Sequence, residues 1–206
     1  MEALDNLRRL GEFDITDLRA YVNRQDEEAW LQESYRQQAF RVHRQTHTIY
    51  LVFDADFRHL EPTRHPKYEE FSEPMRPLIE KVSSLFDYQG WMVRCILTRL
   101  IAKGQITPHA DQGFSLEQSH RIHIPIVTNE GVLFQVGEES VHMKAGELWE
   151  INNRRVHSVV NHGDESRVHM ILDWAEPMTH TQLRGYRADR ERHMHRARMG
   201  TAPRYD

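Results

Sequence analysis

A single cysteine, Cys95, in 206 residues leaves nothing for it to pair with inside the chain. Internal disulfides are excluded, and a reducing compartment is the expected setting. Cys95 itself, inside W-M-V-R-C-I-L, reads as a small core residue and not as a reactive thiol. No apolar run approaches the roughly 20 residues of a membrane span, and the opening M-E-A-L-D-N-L-R-R-L has no signal-peptide core. A cytoplasmic protein with no membrane partner is therefore expected. An excess of one charge is lacking as well: the net charge is -4 and the pI about 6.4, so bulk electrostatics give no reason to expect a nucleic-acid partner. Internal repeats and linker-like stretches are also missing. The chain reads as one domain over residues 1–178, N-terminal helical region included, followed by a basic tail or helix over 179–206. That tail carries Arg184, Arg187, Arg190, Arg192, Arg196 and Arg198, and its composition suits a solvated end.

What is present in quantity is histidine, fourteen in all, so position has to separate ligands from bystanders. In the first forty residues Leu18, Tyr21, Val22, Ala29, Trp30 and Leu31 recur near a 3.6 spacing, which predicts helix. From Phe40 the chain turns to F-R-V-H-R-Q-T-H-T-I-Y-L-V-F, rich in β-branched and aromatic residues, which predicts one long strand or two broken ones. His43, Arg44 and His47 in it read as polar positions on a half-exposed strand. Arg58 to Phe71 lacks periodicity and reads as a loop. A helix is predicted next, with Ser72 as N-cap, Pro74 in its first turn and a stripe of Met75, Leu78, Ile79, Val82, Leu85 and Phe86.

The rest is β-like. W-M-V-R-C-I-L-T-R-L-I is a buried-strand run that leads through Lys103 and Gly104 into the strand carrying H-A-D. Then come R-I-H-I-P-I-V, G-V-L-F-Q-V, V-H-M-K, E-L-W-E-I, R-V-H-S-V-V and R-V-H-M-I-L-D-W, separated by turn residues. Short strands at this spacing predict a sandwich or an open barrel. Arg121 and His123 share one side of their strand against Ile122, Ile124 and Ile126, and Arg167 and His169 repeat this against Val168, Met170 and Leu172. Such a polar side either faces water or lines a polar cavity whose apolar back is covered by helices.

Within this region His109 and Asp111 stand at i and i+2, so one strand can offer an imidazole and a carboxylate to the same metal ion, with His157 arriving from a neighbouring strand. Two histidines and a carboxylate form the ligand set of non-haem Fe(II) oxygenases, which leaves positions for a co-substrate and O2. Arg167, ten residues after His157, is a fixed cation able to hold a dicarboxylate in two-pronged fashion.

The order H-x-D, R-x-H, a glycine before E-L-W, H-S, then R-x-H-x-x-x-D resembles the aspartyl/asparaginyl β-hydroxylase family of iron and 2-oxoglutarate dioxygenases, which also includes bacterial proline hydroxylases. The resemblance covers roughly Ile96 to Trp174. It implies a mainly-β fold, a double-stranded β-helix (a cupin-like jelly roll) with the N-terminal helices packed on its larger sheet. It implies His109, Asp111 and His157 as ligands of Fe(II), with Arg167 as the partner of the distal carboxylate of 2-oxoglutarate. Arg121 and His123 match the family's R-x-H element beside that co-substrate, and Thr98 falls where a small hydroxyl residue assists. Some animal members lack the metal carboxylate, whereas Asp111 completes the set here. The membrane anchor and repeat region of the animal enzymes are not found in this sequence, which argues against a secretory-pathway role. The activity implied is hydroxylation of an unactivated carbon with 2-oxoglutarate and O2 as co-substrates.

With no added recognition module in the sequence, the expected substrate is a free amino acid or a short peptide gripped at the barrel mouth. Arg44, His47 and Arg99 are candidate grips. The alternatives are an Asp or Asn side chain in a protein substrate, a cupin-type metal-binding isomerase, or a non-catalytic binding module; the last two would not require Arg167. His120, His142, His162, His193 and His195 read as surface residues, while His169 shares a strand face with Arg167.

Overall fold

The computed structural model describes residues 5–54 and 62–179, and beyond them residues 181, 182, 184, 185, 187 and 188. The basic tail therefore lies largely outside the described residues, as do His193, His195 and part of the loop expected at 58–71. In chain order the elements are β1 (Leu7–Glu12), α1 (Thr16–Asn23), α2 (Glu27–Leu31), α3 (Tyr35–Ala39), a 3-10 turn (Arg41–His43), β2 (Thr46–Val52), α4 (Lys67–Ser83), β3 (Trp91–Leu100), β4 (Gln105–His109), α5 (Phe114–Glu117), β5 (Ser119–Val127), β6 (Val132–Val136), β7 (Glu139–Val141), β8 (Glu147–Ile151), β9 (His157–Asn161) and β10 (Arg167–Ala175).

The strands form two sheets, six strands in the order β1-β8-β5-β10-β3-β2 and four in the order β4-β9-β6-β7. All the pairings are antiparallel. This is the mainly-β jelly roll with helices on its larger sheet that the resemblance implied. Period-two alternation sorts the side chains. Ile122, Ile124, Ile126, Val168, Met170 and Leu172 face outward and pack with Phe71, Met75, Leu78 and Val82 of α4. At about 1.5–3 kcal/mol for each fully buried large apolar side chain, this layer is the main source of stability. Arg121, His123, Arg167 and His169 point the other way, between the sheets, and none is more than 6% exposed. Of the two readings open for the polar strand faces, the cavity is the one adopted. Gly146, the motif glycine before E-L-W, takes φ +86, and a Cβ there would stand 2.8 Å from the Phe13 carbonyl oxygen, so only glycine fits the corner that starts β8.

Four expectations need correction. Residues 7–12 are not helical but form the edge strand β1, held to β8 by Arg8–Glu150 and Arg9–Glu147 pairs; that match spans more than a hundred residues of chain and leaves no local periodicity. The stretch expected as strand from Phe40 is a 3-10 turn first, and His43 within it is buried at 8% exposure. Helix α4 begins at Lys67, not Ser72, with Pro74 and Pro77 inside it. Burial of Phe71, fully enclosed and 5.9 Å from the Tyr21 ring, extends the stripe upstream and outweighs the missing N–H donors. Finally, His142 to Lys144 fall outside β7, which ends at Val141.

His120 is likewise not a surface residue. It is 7% exposed, with Nδ1 against Glu150 and Nε2 2.9 Å from Glu176 Oε1, under the ring of Phe86. His162 is exposed and His142 half-buried. Burial alone would lower the His120 pKa, but the two carboxylates override it and raise the pKa above 6.5. Its contribution to stability is therefore fully present below pH 6.5 and lost as pH rises through the higher folded value. Replacing His120→Leu is expected to cost about 2 kcal/mol in urea unfolding at pH 6, the scale of a hydrogen bond to a charged group, with a smaller loss at pH 9. An equal loss at both pH values would contradict the raised pKa of His120.

Candidate active site

Strands β4 and β9 are antiparallel neighbours, and His109 and His157 are register partners across them. Asp111 lies beyond the end of β4, not on it; its backbone N–H donates to the Asn153 carbonyl at 2.9 Å, which fixes the turn that carries the carboxylate back toward the histidines. Nε2 of His109 and Nε2 of His157 each stand 3.9 Å from an Asp111 carboxylate oxygen. One ligand atom from each of the three residues lies within 4.8 Å of the others. That is too long for hydrogen bonds and suits three ligands of one ion, since two ligands each about 2.1 Å from a metal stand roughly 3–4 Å apart.

The tautomers fit as well. His109 Nδ1 donates to the Thr107 carbonyl (2.8 Å) and His157 Nδ1 to the Arg155 carbonyl (3.0 Å). Each ring thus uses the carbonyl two residues upstream and keeps the Nε2 lone pair for the ion. Burial lowers the His157 pKa, against the pull of Asp111, and so favours the neutral ligand form.

The carboxylate is held from behind. Arg121 Nη1 donates to Asp111, while Arg121 Nε and Nη2 donate to Asp173 at 2.8 Å each. Asp173 is the register partner of Arg121 on β5 and of Arg94 on β3, and Arg94 Nε lies 3.6 Å from it. Burial pushes the Asp111 pKa up, but Arg121 and then the two histidines more than reverse this and hold the carboxyl well below its usual range. Arg121, expected beside the co-substrate, lines the cavity, and its Nε, Nη1 and Nη2 each donate to a carboxylate. These bonds hold Asp111 in place.

Arg167, His123 and Thr98 line the same cavity as the three ligands. Arg167 is 1% exposed, and its Nε and Nη1 have no hydrogen-bond partner among the described residues. Burial, reinforced by Arg36, lowers its pKa to about 9. His123 Nδ1 lies 3.3 Å from His169 Nδ1, and burial followed by the Arg167 charge holds both imidazoles neutral. Two residues that sequence reasoning missed, Arg36 and His43, also face this cavity. Arg36 is the buried residue of α3, and a lone arginine on a five-residue helix carries no periodic signal.

The candidate grips Arg44, His47 and Arg99 do not face the cavity. Arg99 forms a two-pronged pair with Glu27 (2.5 and 2.7 Å), lies over the Trp30 ring, and has His47 Nδ1 3.0 Å from its Nη2. Arg44 is exposed. The reason is strand parity: His47 and Arg99 are register partners adjacent to Thr48 and Thr98, which point inward.

With this geometry in view, the comparisons with known proteins decide the family. The family profile described as aspartyl/asparaginyl beta-hydroxylase matches residues 17–177. The chain belongs to that family. A curated relative, L-proline cis-3-hydroxylase 1 of Streptomyces sp, is 27% identical over 128 residues, 61% of this chain and 41% of the relative's length. An oxidoreductase of the 2OG-Fe(II) oxygenase family from Burkholderia pseudomallei superposes with a TM-score of 0.57 at 12% identity, over 78% of this chain and 77% of that one. A viral collagen prolyl hydroxylase from Paramecium bursaria Chlorella virus-1, solved as its 2OG complex, gives a TM-score of 0.50 at 8% identity, over 84% of this chain and 97% of that one. At these identities the two solved structures speak to the fold alone.

The Arg121–Asp173 pair yields a test. Asp173→Asn leaves two buried guanidinium groups sharing one carboxylate fewer, so unfolding should cost about 3–5 kcal/mol less than in the parent protein, and divalent-metal affinity should drop about 10–100-fold as Asp111 loses its fixed position. Parent-like stability and parent-like metal affinity together would contradict the role given to Asp173.

Proposed function

We propose that this chain is an Fe(II)- and 2-oxoglutarate-dependent dioxygenase that hydroxylates an unactivated carbon of a free amino acid or short peptide, with release of succinate and CO2. The observation that carries the reading is the meeting, in one cavity, of three convergent metal-ligand atoms and a buried guanidinium with unsatisfied donors. His109 and His157 would hold iron through Nε2 and Asp111 through its carboxylate, which leaves coordination positions open. Arg167 supplies the fixed cation that the distal carboxylate of a five-carbon diacid needs in a site closed to water. When bound, iron with 2-oxoglutarate and O2 supplies oxidative decarboxylation coupled to hydroxylation of a C–H bond.

The chain's own residues do the rest. Arg121 keeps Asp111 ionised and aimed, the Thr107 and Arg155 carbonyls keep both histidines in the metal-binding tautomer, and the neutral His123–His169 pair adds no charge beside Arg167. Phe134, Ile106 and Val159 line the cavity with apolar surface that excludes water from the reacting carbon. A cupin-type isomerase has no use for an unpartnered buried arginine beside the metal. The curated relative's name, an L-proline hydroxylase, supports a small amino-acid substrate, with a protein Asp or Asn side chain as the competing possibility.

Purified protein is expected to bind one Fe(II) per chain by metal analysis. Asp111→Ala and His157→Ala should each abolish succinate release while keeping the native fold; His157→Ala should unfold near the parent, because the site lies apart from the apolar layer under α4, and Asp111→Ala somewhat earlier, because Arg121 loses one of its two carboxylates. Full turnover by the double variant His109→Ala with Asp111→Ala would overturn the assignment. For the substrate, succinate release is measured with each free amino acid, L-proline included, and with Asp- and Asn-containing peptides. Stimulation by free amino acids is the expected result; stimulation by the peptides alone would replace the small-substrate reading with a protein-directed one.

A further inference from the structure

Arg36 is 8% exposed, and its guanidinium reaches from α3 into the cavity. Nη1 donates to Thr48 Oγ1 (3.4 Å) and Thr98 Oγ1 (3.2 Å), and Nη2 lies 2.9 Å from His43 Nε2. Burial, then the Arg36 charge, lowers the His43 pKa well below 6.5, so the ring is neutral and accepts this bond. Thr48, Thr98 and His43 orient the guanidinium but none neutralises it, and no carboxylate bonds to it among the described residues. Burial lowers the Arg36 pKa to about 10. A desolvated cation with only neutral partners is costly until an anion joins it.

The contrast within the same core is informative. Arg94 and Arg121 face Asp173, and Arg121 also faces Asp111, so the fold supplies carboxylates where a guanidinium serves structure. Arg36 and Arg167 are left without one. A bound 2-oxoglutarate has two carboxylates, one for the iron and one for Arg167, which leaves Arg36 unanswered. Its position points to the substrate: His43, against Arg36, meets the His109 ring edge-on at 5.4 Å between centroids, so Arg36 stands just behind a metal ligand.

We propose that Arg36 binds a carboxylate of the substrate, and that Thr48, Thr98 and His43 hold its guanidinium in place for that contact. The substrate is then an anionic molecule at this end, such as an amino acid with a free carboxylate, and not a neutral one. This inference rests on the iron and 2-oxoglutarate reading of the site. It concerns a residue on a helix whose surroundings carry no recognisable motif.

The test is calorimetric, on anaerobic Fe(II) protein. 2-Oxoglutarate is titrated first, and the loaded protein is then titrated with free amino acids, L-proline and L-aspartate among them, each beside its carboxamide. The parent protein is expected to bind at least one carboxylate form about thirtyfold or more tighter than its carboxamide, the scale for a buried charge-assisted contact. Arg36→Gln should erase that preference, keep 2-oxoglutarate affinity within about threefold, and unfold within a few degrees of the parent, since it removes a desolvated charge. Arg36→Lys should restore part of the preference, and it carries the comparison should the Gln variant not fold. Three results would overturn the proposal: a loaded parent that binds no carboxylate probe or binds none tighter than its carboxamide, a carboxylate preference that survives in Arg36→Gln, or a loss of 2-oxoglutarate affinity in Arg36→Gln, which would assign Arg36 to the co-substrate. Failure of 2-oxoglutarate to bind the parent at all is a different outcome and overturns the reading of the site beneath the proposal.

Discussion

Asp173 is the constraint on which the site depends. It is fully buried on β10, flanked by Arg121 on one neighbouring strand and Arg94 on the other. A buried carboxylate between two guanidinium groups is tolerable because each charge offsets the others and every donor aimed at it has a lone pair to meet. The pairing fixes the Arg121 side chain, and its Nη1 then reaches Asp111. Asp111 lies past the end of β4 in an irregular segment, where a carboxylate would otherwise sample several rotamers. The sheet thus imposes order on the one ligand that no strand holds.

The same accounting of charge separates structure from function in this cavity. Where guanidinium groups support the fold, carboxylates stand against them. Where they lack such partners, as at Arg167 and Arg36, their burial raises the free energy of the empty protein, and binding of anions relieves it. The histidines follow the converse rule. His123, His169 and His43 lie deep among cations and are held neutral, while at His120, outside the cavity, Glu150 and Glu176 raise the pKa. The protonation of a histidine here follows the charges that surround it.

Much of this was legible in the chain. The alternation at 121–126 and 167–172 already showed one polar and one apolar face, though whether the polar face met water or a cavity depended on the second sheet. The spacing of His109, Asp111, His157 and Arg167 was legible because β4, β9 and β10 hold them on strands or directly after one, where residue number maps onto direction. What escaped were features set by partners distant in sequence. β1 pairs with β8, where Arg8 and Arg9 meet Glu150 and Glu147, His120 is buried between Glu150 and Glu176, and Arg36 is brought to the site by short helices. In α4, Ser72 and Pro74 suggested a helix start that the buried Phe71 overrode. Local pattern reports local preference, and these positions answer to tertiary contacts.

In the proposed function the buried Arg167, with Nε and Nη1 unbonded among the described residues, and the three-residue metal set serve one diacid co-substrate. The most direct measurement is the visible charge-transfer absorption that a 2-keto acid gives on chelating Fe(II), recorded without oxygen in the parent and in Arg167→Ala. A band is expected in the parent on adding 2-oxoglutarate. In Arg167→Ala the iron content is expected to be unchanged and the half-saturating concentration to rise roughly thirtyfold to several thousandfold. No band in the iron-loaded parent, or the same half-saturation in both proteins, would contradict it.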